Sequence, residues 1–88
     1  MKMEWDEAKR DATLRERGLD FASVAEADWD AAVTAEDQRQ EYGEARFVSL
    51  VPIYDRLLVV AWCVRGDALR VISLRKANSR ERIRYDQG

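Results

Sequence analysis

The longest apolar segment of the chain, residues 57–64, is apolar at both sets of alternating positions. A continuous run of eight apolar residues predicts a strand at the centre of a sheet, covered on both faces. Gly66-Asp67 follows, and a Gly-first pair between strand patterns predicts a two-residue hairpin turn. Residues 69–74 predict the returning strand, with alternating sets of Leu69, Val71, Ser73 and of Arg70, Ile72, Leu74.

Two weaker strand patterns precede this hairpin. Residues 46–51 predict a strand that ends at Pro52, with residues 53–55 in a loop. Residues 31–34 predict another short strand. The segment 35–44 between them is polar, so we expect a turn or a frayed connection there.

The N-terminal part predicts a short strand and two helices. Residues 3–5 form the strand, Asp6 is the expected N-cap of a helix over residues 7–17, and Gly18 suits the position after its end. Asp20 is the expected cap of a second helix, whose apolar positions are Phe21, Val24 and Ala25. The apolar positions of these helices are few, so they need a sheet to pack on.

A last helix is predicted after Asn78, because Asn78 and Glu81 have the spacing of a capping box. The order β-α-α-β-β-β-β-α predicts one small α+β domain over residues 1–88. We expect a mostly antiparallel sheet packed against the N-terminal helices, together with the C-terminal helix.

The chain contains no histidine and a single cysteine, Cys63. This excludes His-based acid–base catalysis, Ser–His and Cys–His nucleophile pairs, and zinc sites built on His or Cys. We expect no metal or other cofactor, and any chemistry has to use Arg, Lys, Glu, Asp or Tyr. No apolar run approaches the roughly 20 residues of a membrane span, and the N-terminus lacks the apolar core of a signal peptide. The sequence therefore predicts a cytoplasmic protein without a membrane partner.

The charges are divided unevenly along the chain. Residues 1–45 carry six Lys or Arg against thirteen Asp or Glu, and residues 46–88 carry nine against four. Such asymmetry is typical of a basic half that binds an anionic partner. The simpler alternative is that the two halves pair with each other in the fold.

A dense run of basic residues follows the last predicted strand. Arg75 is expected at the strand end and Arg80 near the start of the helix, with Lys76 between them. Cations at a helix N-terminus suit a phosphate group, because the free N–H groups and the helix dipole also favour an anion there. We therefore predict that these three residues bind phosphate. Arg82 and Arg84 are expected to be solvated helix charges.

Five segments resemble, in order, the BrnT toxin family: EWDEAK (residues 4–9), LRERGLDF (14–21), ARFVSL (45–50), LLVVAW (57–62) and RVISLRKANSRERIRY (70–85). The resemblance implies a RelE-like fold and a ribonuclease toxin of a bacterial type II toxin–antitoxin pair. The implied partner is a ribbon-helix-helix antitoxin of the BrnA type, which covers the toxin and alone contacts operator DNA. Toxins of this broad group inhibit translation by cutting RNA without a metal ion.

Such cleavage uses the 2′-hydroxyl of RNA as nucleophile, so the protein has to stabilise the phosphorane and transfer protons. Arg75, Lys76 and Arg80 are the candidate cations. Glu81 is the candidate base, although the capping box explains it as well. Tyr85 could stack on a base, act as an acid, or pack the helix on the sheet.

Three further residues are expected to bind substrate. Lys9 matches a family lysine, and Arg46 begins a strand beside the polar segment. Arg17 stands where the family commonly has His, and an arginine can hold a phosphate but cannot shuttle a proton near neutral pH. Two other functions suit the same residues: a nucleic-acid-binding module without chemistry, and an interaction protein whose basic end docks an acidic partner.

Overall fold

A computed structural model describes residues 2–88, so the predicted domain is described except for Met1. Within this range the elements are β1 (Lys2–Trp5), α1 (Glu7–Arg17), a first 3-10 helix (Phe21–Glu26), a second 3-10 helix (Trp29–Ala31), β2 (Val33–Glu36), β3 (Arg46–Ile53), β4 (Arg56–Arg65), β5 (Ala68–Lys76) and α2 (Ser79–Gln87). The α+β class is confirmed.

The described strands form one sheet in the order β1-β5-β4-β3-β2, with β4 at its centre as predicted. Strands β2, β3, β4 and β5 pair antiparallel in sequence, whereas β1 pairs parallel with β5. The sheet is therefore mixed, and the expectation of a mostly antiparallel sheet is wrong. Tight turns force antiparallel neighbours, but β1 joins β5 from the other end of the chain, where no turn sets its direction.

The turns at the two ends of β4 differ in how well the sequence predicts them. Gly66-Asp67 forms the predicted turn, and Gly66 has the positive φ of 60° that glycine adopts without strain. The predicted end of β3 at Pro52 is wrong, because β3 continues to Ile53 and turns at Tyr54-Asp55. The carbonyl of Pro52 accepts a hydrogen bond from the N–H of Asp28 at 2.9 Å, on the side of β3 that faces away from β4. Strand β2 does not extend as far as Pro52, so the missing N–H of proline removes no hydrogen bond between strands.

The N-terminal helices differ from their predicted form. Helix α1 has the predicted bounds and caps, but none of its residues is buried, and Leu14 is 45% exposed. The second predicted helix is a 3-10 helix, capped by the Asp20 carboxylate at the N–H of Ala22. Its Phe21 and Val24 are buried. The sheet is thus covered by the 3-10 segment rather than by a helical hairpin, because α1 has too little apolar surface to bury.

The sheet residues of the main buried cluster lie on one face of the sheet, which we call the core face, whereas buried Val59 and Cys63 lie on the other face. The core cluster is formed by Leu19, Phe21, Val24, Val51, Ile53, Leu58, Val60, Leu69, Val71 and Leu74. An irregularity in the pairing of β4 with β5 makes Ile72 an extra residue on β5: Trp62 pairs with Val71, but Ala61 pairs with Ser73. The predicted alternation is therefore wrong beyond Ile72, and the extra residue brings Leu74 into the core with Val71.

Candidate functional site

The extra residue on β5 also decides which face of the sheet carries the arginines. Arg46 of β3 pairs with Cys63 of β4, which pairs with Arg70 of β5. Further along β4, Val59 pairs with Arg75. Positions 70 and 75 are an odd number of residues apart, so regular alternation would place them on opposite faces. The bulge puts both on the face opposite the core, which we call the cationic face (Arg46, Arg70 and Arg75).

The floor between the two ends of the cationic face is uncharged. One row of paired residues across β3, β4 and β5 is Val48, Ala61 and Ser73, and the next row contains Leu50 and Val59. Cys63 and Val59, which mark the two ends, are four positions apart on β4, or about 13 Å at about 3.3 Å per residue. An extended polyanion can therefore contact both ends at once.

The first end lies at the junction of β5 and α2. The Arg75 guanidinium donates two hydrogen bonds to the Glu81 carboxylate, each 2.8 Å long. Glu81 Oε1 also accepts from the Asn78 N–H at 2.9 Å, and Asn78 Oδ1 accepts from the Glu81 N–H at 2.8 Å, which confirms the capping box. Arg75, and to a smaller extent the Asn78 N–H, lowers the pKa of Glu81 to about 2. At neutral pH Glu81 is a weak base that holds Arg75 in place.

Two predicted phosphate ligands stand free beside this pair. Lys76 and Arg80 are exposed, and their side chains make no hydrogen bond or ion pair within residues 2–88. Arg80 lies in the first turn of α2, whose N-terminal N–H groups favour an anion. Arg82 and Arg84 are also exposed, as predicted.

Tyr85 anchors α2 to the rest of the fold. Its hydroxyl donates to the carbonyl of Ala31 at 2.7 Å, just before β2 begins. Pro52, Leu57 and Tyr85 line the same small cleft, so the ring lies at the end of the cationic face. The geometry favours packing for Tyr85, because its proton is already donated.

The second end of the cationic face is a polar pocket of about 150 Å³. Its cations are Lys9, Arg46, Arg65 and Arg70, and its carboxylates are Asp6 and Glu44. The structure therefore brings together Lys9 and Arg46, which the sequence placed among the substrate-binding residues without linking them. The excess of cations over carboxylates favours an anion in this pocket.

Arg46 is held by its neighbours in a defined orientation. Its guanidinium lies over the Tyr42 ring at 4.2 Å from the ring centroid, and its Nη2 lies 3.9 Å from Glu44. Its Nε is buried and has no hydrogen-bond partner within residues 2–88. A buried donor without a partner costs free energy, and an acceptor that reached it would recover that cost. The ion pair of Arg46 with Glu44 is long and leaves the guanidinium free to contact a further anion.

Cys63 lies between Arg46 and Arg70 in this pocket. Burial raises the pKa of the Cys63 thiol, and the nearby Glu44 carboxylate acts in the same direction. A thiol of this kind stays protonated at neutral pH and is a poor nucleophile. The pocket therefore offers positive charge rather than covalent catalysis.

Sequence reasoning missed Arg65 and Arg70 as site residues. Arg65 donates to Glu44 at 3.4 Å, and Arg70 donates to Glu4 at 3.1 Å. The predicted Gly66-Asp67 turn could have identified Arg70, because a two-residue turn pairs Arg65 with residue 68 and therefore Cys63 with Arg70. These contacts also join the acidic and basic halves of the chain, as the simpler alternative expected.

Arg17 lies at the outer edge of β5, next to Arg75 and away from the pocket that contains Lys9 and Arg46. Its Nη1 donates to the carbonyl of Leu74 at 2.8 Å. Strand β1 ends its pairing with β5 at Val71, so this carbonyl lies on an edge of β5 that has no strand beside it. Arg17 therefore completes the hydrogen bonding of an open strand edge, and the structure does not bring it to the other predicted substrate ligands.

The described residues thus form a small α+β domain with cationic side chains at two ends of one sheet face. Among residues 2–88, no group of three or more His, Cys, Asp and Glu side chains is placed to hold a metal ion, and no helix is long and apolar enough to cross a membrane.

Comparison with known proteins agrees with this class of site. The family model described as the ribonuclease toxin BrnT of type II toxin–antitoxin systems matches residues 5–81. The chain belongs to this family, which confirms the resemblance seen in the sequence. Membership implies ribonuclease activity in general and a protein antitoxin as partner. No curated protein gives a significant match.

Proposed function

We propose that the chain is a metal-independent endoribonuclease whose RNA substrate lies across the cationic face. The observation that carries this proposal is the bulge at Ile72, which aligns Arg46, Arg70 and Arg75 on one face. The two ends, about 13 Å apart, match about four nucleotides of a helical strand at about 3.4 Å each. The charges at the two ends then contact phosphates that are about four nucleotides apart.

The reaction proposed is transfer of the phosphorus from the 5′-oxygen to the neighbouring 2′-oxygen. The 2′-hydroxyl loses its proton and bonds to phosphorus, the P–O5′ bond breaks, and the 5′-oxygen takes up a proton. Arg75 and Arg80 bind the non-bridging oxygens, where charge accumulates in the phosphorane. One such positioned donor contributes about 2.7 to 4 kcal/mol of transition-state stabilisation.

The proton-transfer roles fall to the lysines in this proposal. Glu81 and Tyr85 were the sequence candidates, but the Glu81 carboxylate is held by Arg75 and the Tyr85 hydroxyl by Ala31. We assign Glu81 to positioning Arg75, and Tyr85 to anchoring α2. Lys9 lies at the pocket end of the cationic face, and exposed Lys76 follows Arg75 at the other end, where its register opposite Leu58 puts it on the side of the core face. Because the two ends are about 13 Å apart, only the lysine at the end where the phosphate is cleaved can carry a proton to or from the substrate.

The biological setting is proposed from family membership. The whole chain is a single RelE-like toxin domain that acts in the cytoplasm and inhibits translation by cutting RNA. Its antitoxin is a ribbon-helix-helix protein of the BrnA type, through which alone the complex contacts operator DNA. A gene for such a protein beside this one would support the assignment, and a neighbour without that fold would argue against it.

One observation favours a second candidate, an RNA-binding domain without chemistry. The two acid–base candidates at the α2 end already make strong intramolecular hydrogen bonds. A cationic face alone gives affinity for nucleic acid that weakens with salt but leaves the RNA whole.

Expression of the chain alone in a bacterium tests the proposal. We expect growth arrest and new RNA 5′ ends, and we expect the purified protein to cut RNA in the presence of EDTA. Arg80→Ala should lower the cleavage rate by about 100-fold or more. Arg82→Ala, a neighbouring exposed arginine, is the matched control and should cleave normally. Normal growth with soluble protein and intact RNA would reject the endoribonuclease, and EDTA-sensitive cleavage would reject metal independence.

A further inference from the structure

The core face is not fully covered, and its open part forms an apolar cleft of about 690 Å³ near the Gly66-Asp67 turn. The main apolar side chains that line it are Met3, Val24, Trp29, Trp62, Val64 and Leu69. This cleft lies on the opposite side of the sheet from the proposed RNA site, because Trp62 and Val64 alternate with Cys63 along β4.

The walls of the cleft are preformed. The Trp62 ring stacks on Phe47 with centroids 4.8 Å apart, and its Nε1 donates to Ser49 Oγ at 2.9 Å. Trp29 packs edge-on against Trp62 with centroids 5.8 Å apart. Trp29 is nevertheless 37% exposed and Val64 is 57% exposed. Rigid aromatic surface that faces water is typical of a binding site for another macromolecule.

Residues that adjoin the cleft lining along the chain, which we call its rim, are acidic. Glu26 follows the lining residue Ala25, and Asp28 and Asp30 stand on either side of Trp29. These three carboxylates are exposed and form no ion pair within residues 2–88. Asp67, which lines the cleft, pairs only with exposed Lys2 at 3.6 Å. An acidic rim repels nucleic acid and attracts cationic side chains.

We propose that this cleft binds a basic amphipathic segment of a protein partner. The apolar side of the segment inserts beside Trp29, Trp62 and Val64, and its Lys or Arg side chains face Glu26, Asp28 and Asp30. In assigning the segment to the antitoxin, this inference rests on the proposed function. RNA and this segment then occupy opposite faces of one sheet, so the protein can hold both at once.

A designed peptide tests the inference without any measurement of RNA cleavage. The probe is a fluorescein-labelled helical 14-residue peptide of Leu and Lys arranged amphipathically, and its charge-inverted counterpart has Glu in place of Lys. We expect the Lys peptide to bind, with amide and indole NMR shifts at Trp29, Trp62 and Val64. The Glu peptide should bind at least about tenfold more weakly, because it meets the acidic rim.

Matched variants localise the binding. Val64→Lys and the double variant Asp28→Asn/Asp30→Asn should each weaken Lys-peptide binding about tenfold. The control pair Asp55→Asn/Asp86→Asn removes two exposed carboxylates elsewhere and should leave it unchanged. Equal affinity for both peptides, NMR shifts at Arg46 and Arg70 instead, or self-association that buries the cleft would each overturn the inference. A protein that binds the peptide yet leaves RNA intact would reject only the proposed ribonuclease.

Discussion

The two faces of the sheet carry opposite charges. On the core face, the acidic N-terminal half supplies the 3-10 segments, in which Glu26, Asp28 and Asp30 adjoin residues that line an apolar cleft. On the cationic face, the basic C-terminal strands present Arg46, Arg70 and other cations. The charge asymmetry along the chain has therefore become an asymmetry across the sheet. A domain of this kind can bind an anionic and a cationic partner on two different surfaces.

The largest expected effect comes from inserting an alanine between Ser73 and Leu74, because the number of residues on β5 sets which face each later side chain occupies. With one residue more, Leu74 would turn to the cationic face and Arg75 into the core, since a shift of one residue reverses every later side chain. We expect the free energy of unfolding, measured in urea, to fall by more than about 4 kcal/mol. Deleting Ile72 is the matched control, because it removes the bulge but keeps Leu74 in the core, and it should cost about 2 kcal/mol. An insertion variant that is as stable as the deletion variant would show that the residue count on β5 does not set the faces.

Replacing one leucine on each face by alanine compares how much the two faces contribute to the free energy of unfolding. Leu74 is fully buried in the core, whereas Leu50 is partly exposed on the cationic face. Leu74→Ala should lower the free energy of unfolding by about 3 kcal/mol, because it leaves a cavity. Leu50→Ala should cost about 1 kcal/mol, because water already reaches that side chain. Urea titrations of both variants measure the difference, and equal losses would contradict the assignment of one face to the core.

The features of the two faces also differ in whether they could be predicted from the sequence. Helix α1 and the α2 capping box depend on local contacts such as Asn78 with Glu81, and both were predicted with their caps. The turn at Gly66-Asp67 was predicted for the same reason. The bulge was not, because Ile72 in isolation continues a regular alternation, and the extra residue is accommodated only when Leu74 packs in the core. The place of Lys9 in the pocket was not predicted either, because α1 follows β1, and the parallel pairing of β1 with β5 joins the two ends of the chain and is encoded by no local pattern.

Lowering the pH is expected to have a smaller effect on the free energy of unfolding. The Glu81 pKa is about 2 when folded, against an ordinary value of 4.5, and the main cause is Arg75. Because the folded pKa is the lower one, the pair stabilises the fold fully above about pH 4.5, and this contribution is lost as the pH falls towards 2. Arg75 is 43% exposed, so solvent screening limits the contribution to about 1 kcal/mol.

Glu81→Gln measures this contribution. Its free energy of unfolding should be lower by about 1 kcal/mol at pH 7 and should converge on that of the unmodified chain near pH 2. The carboxylates Asp20 and Asp37 also have lowered pKa values, through hydrogen bonds from Arg10 and Arg39 respectively, so only the difference between the two pH profiles is diagnostic. A difference that stayed constant from pH 7 to pH 2 would show that the Arg75 pair is not its source.

The smallest expected effect concerns the contribution of one arginine to RNA affinity. Arg70 faces the substrate in the proposed complex, whereas Arg82 is an exposed cation of α2 that was predicted to be solvated. Binding of a 2′-O-methyl oligonucleotide, which resists cleavage through the 2′-oxygen, should weaken with salt for every variant. Arg70→Ala should lower the slope of log affinity against log salt by about 0.7, the value for one phosphate contact on a single strand. Arg82→Ala should leave the slope unchanged, because a solvated cation releases no counterion from the RNA. If the two variants lowered the slope equally, the arginines would act as a diffuse charge, and the ordered cationic face would have no role in positioning the strand.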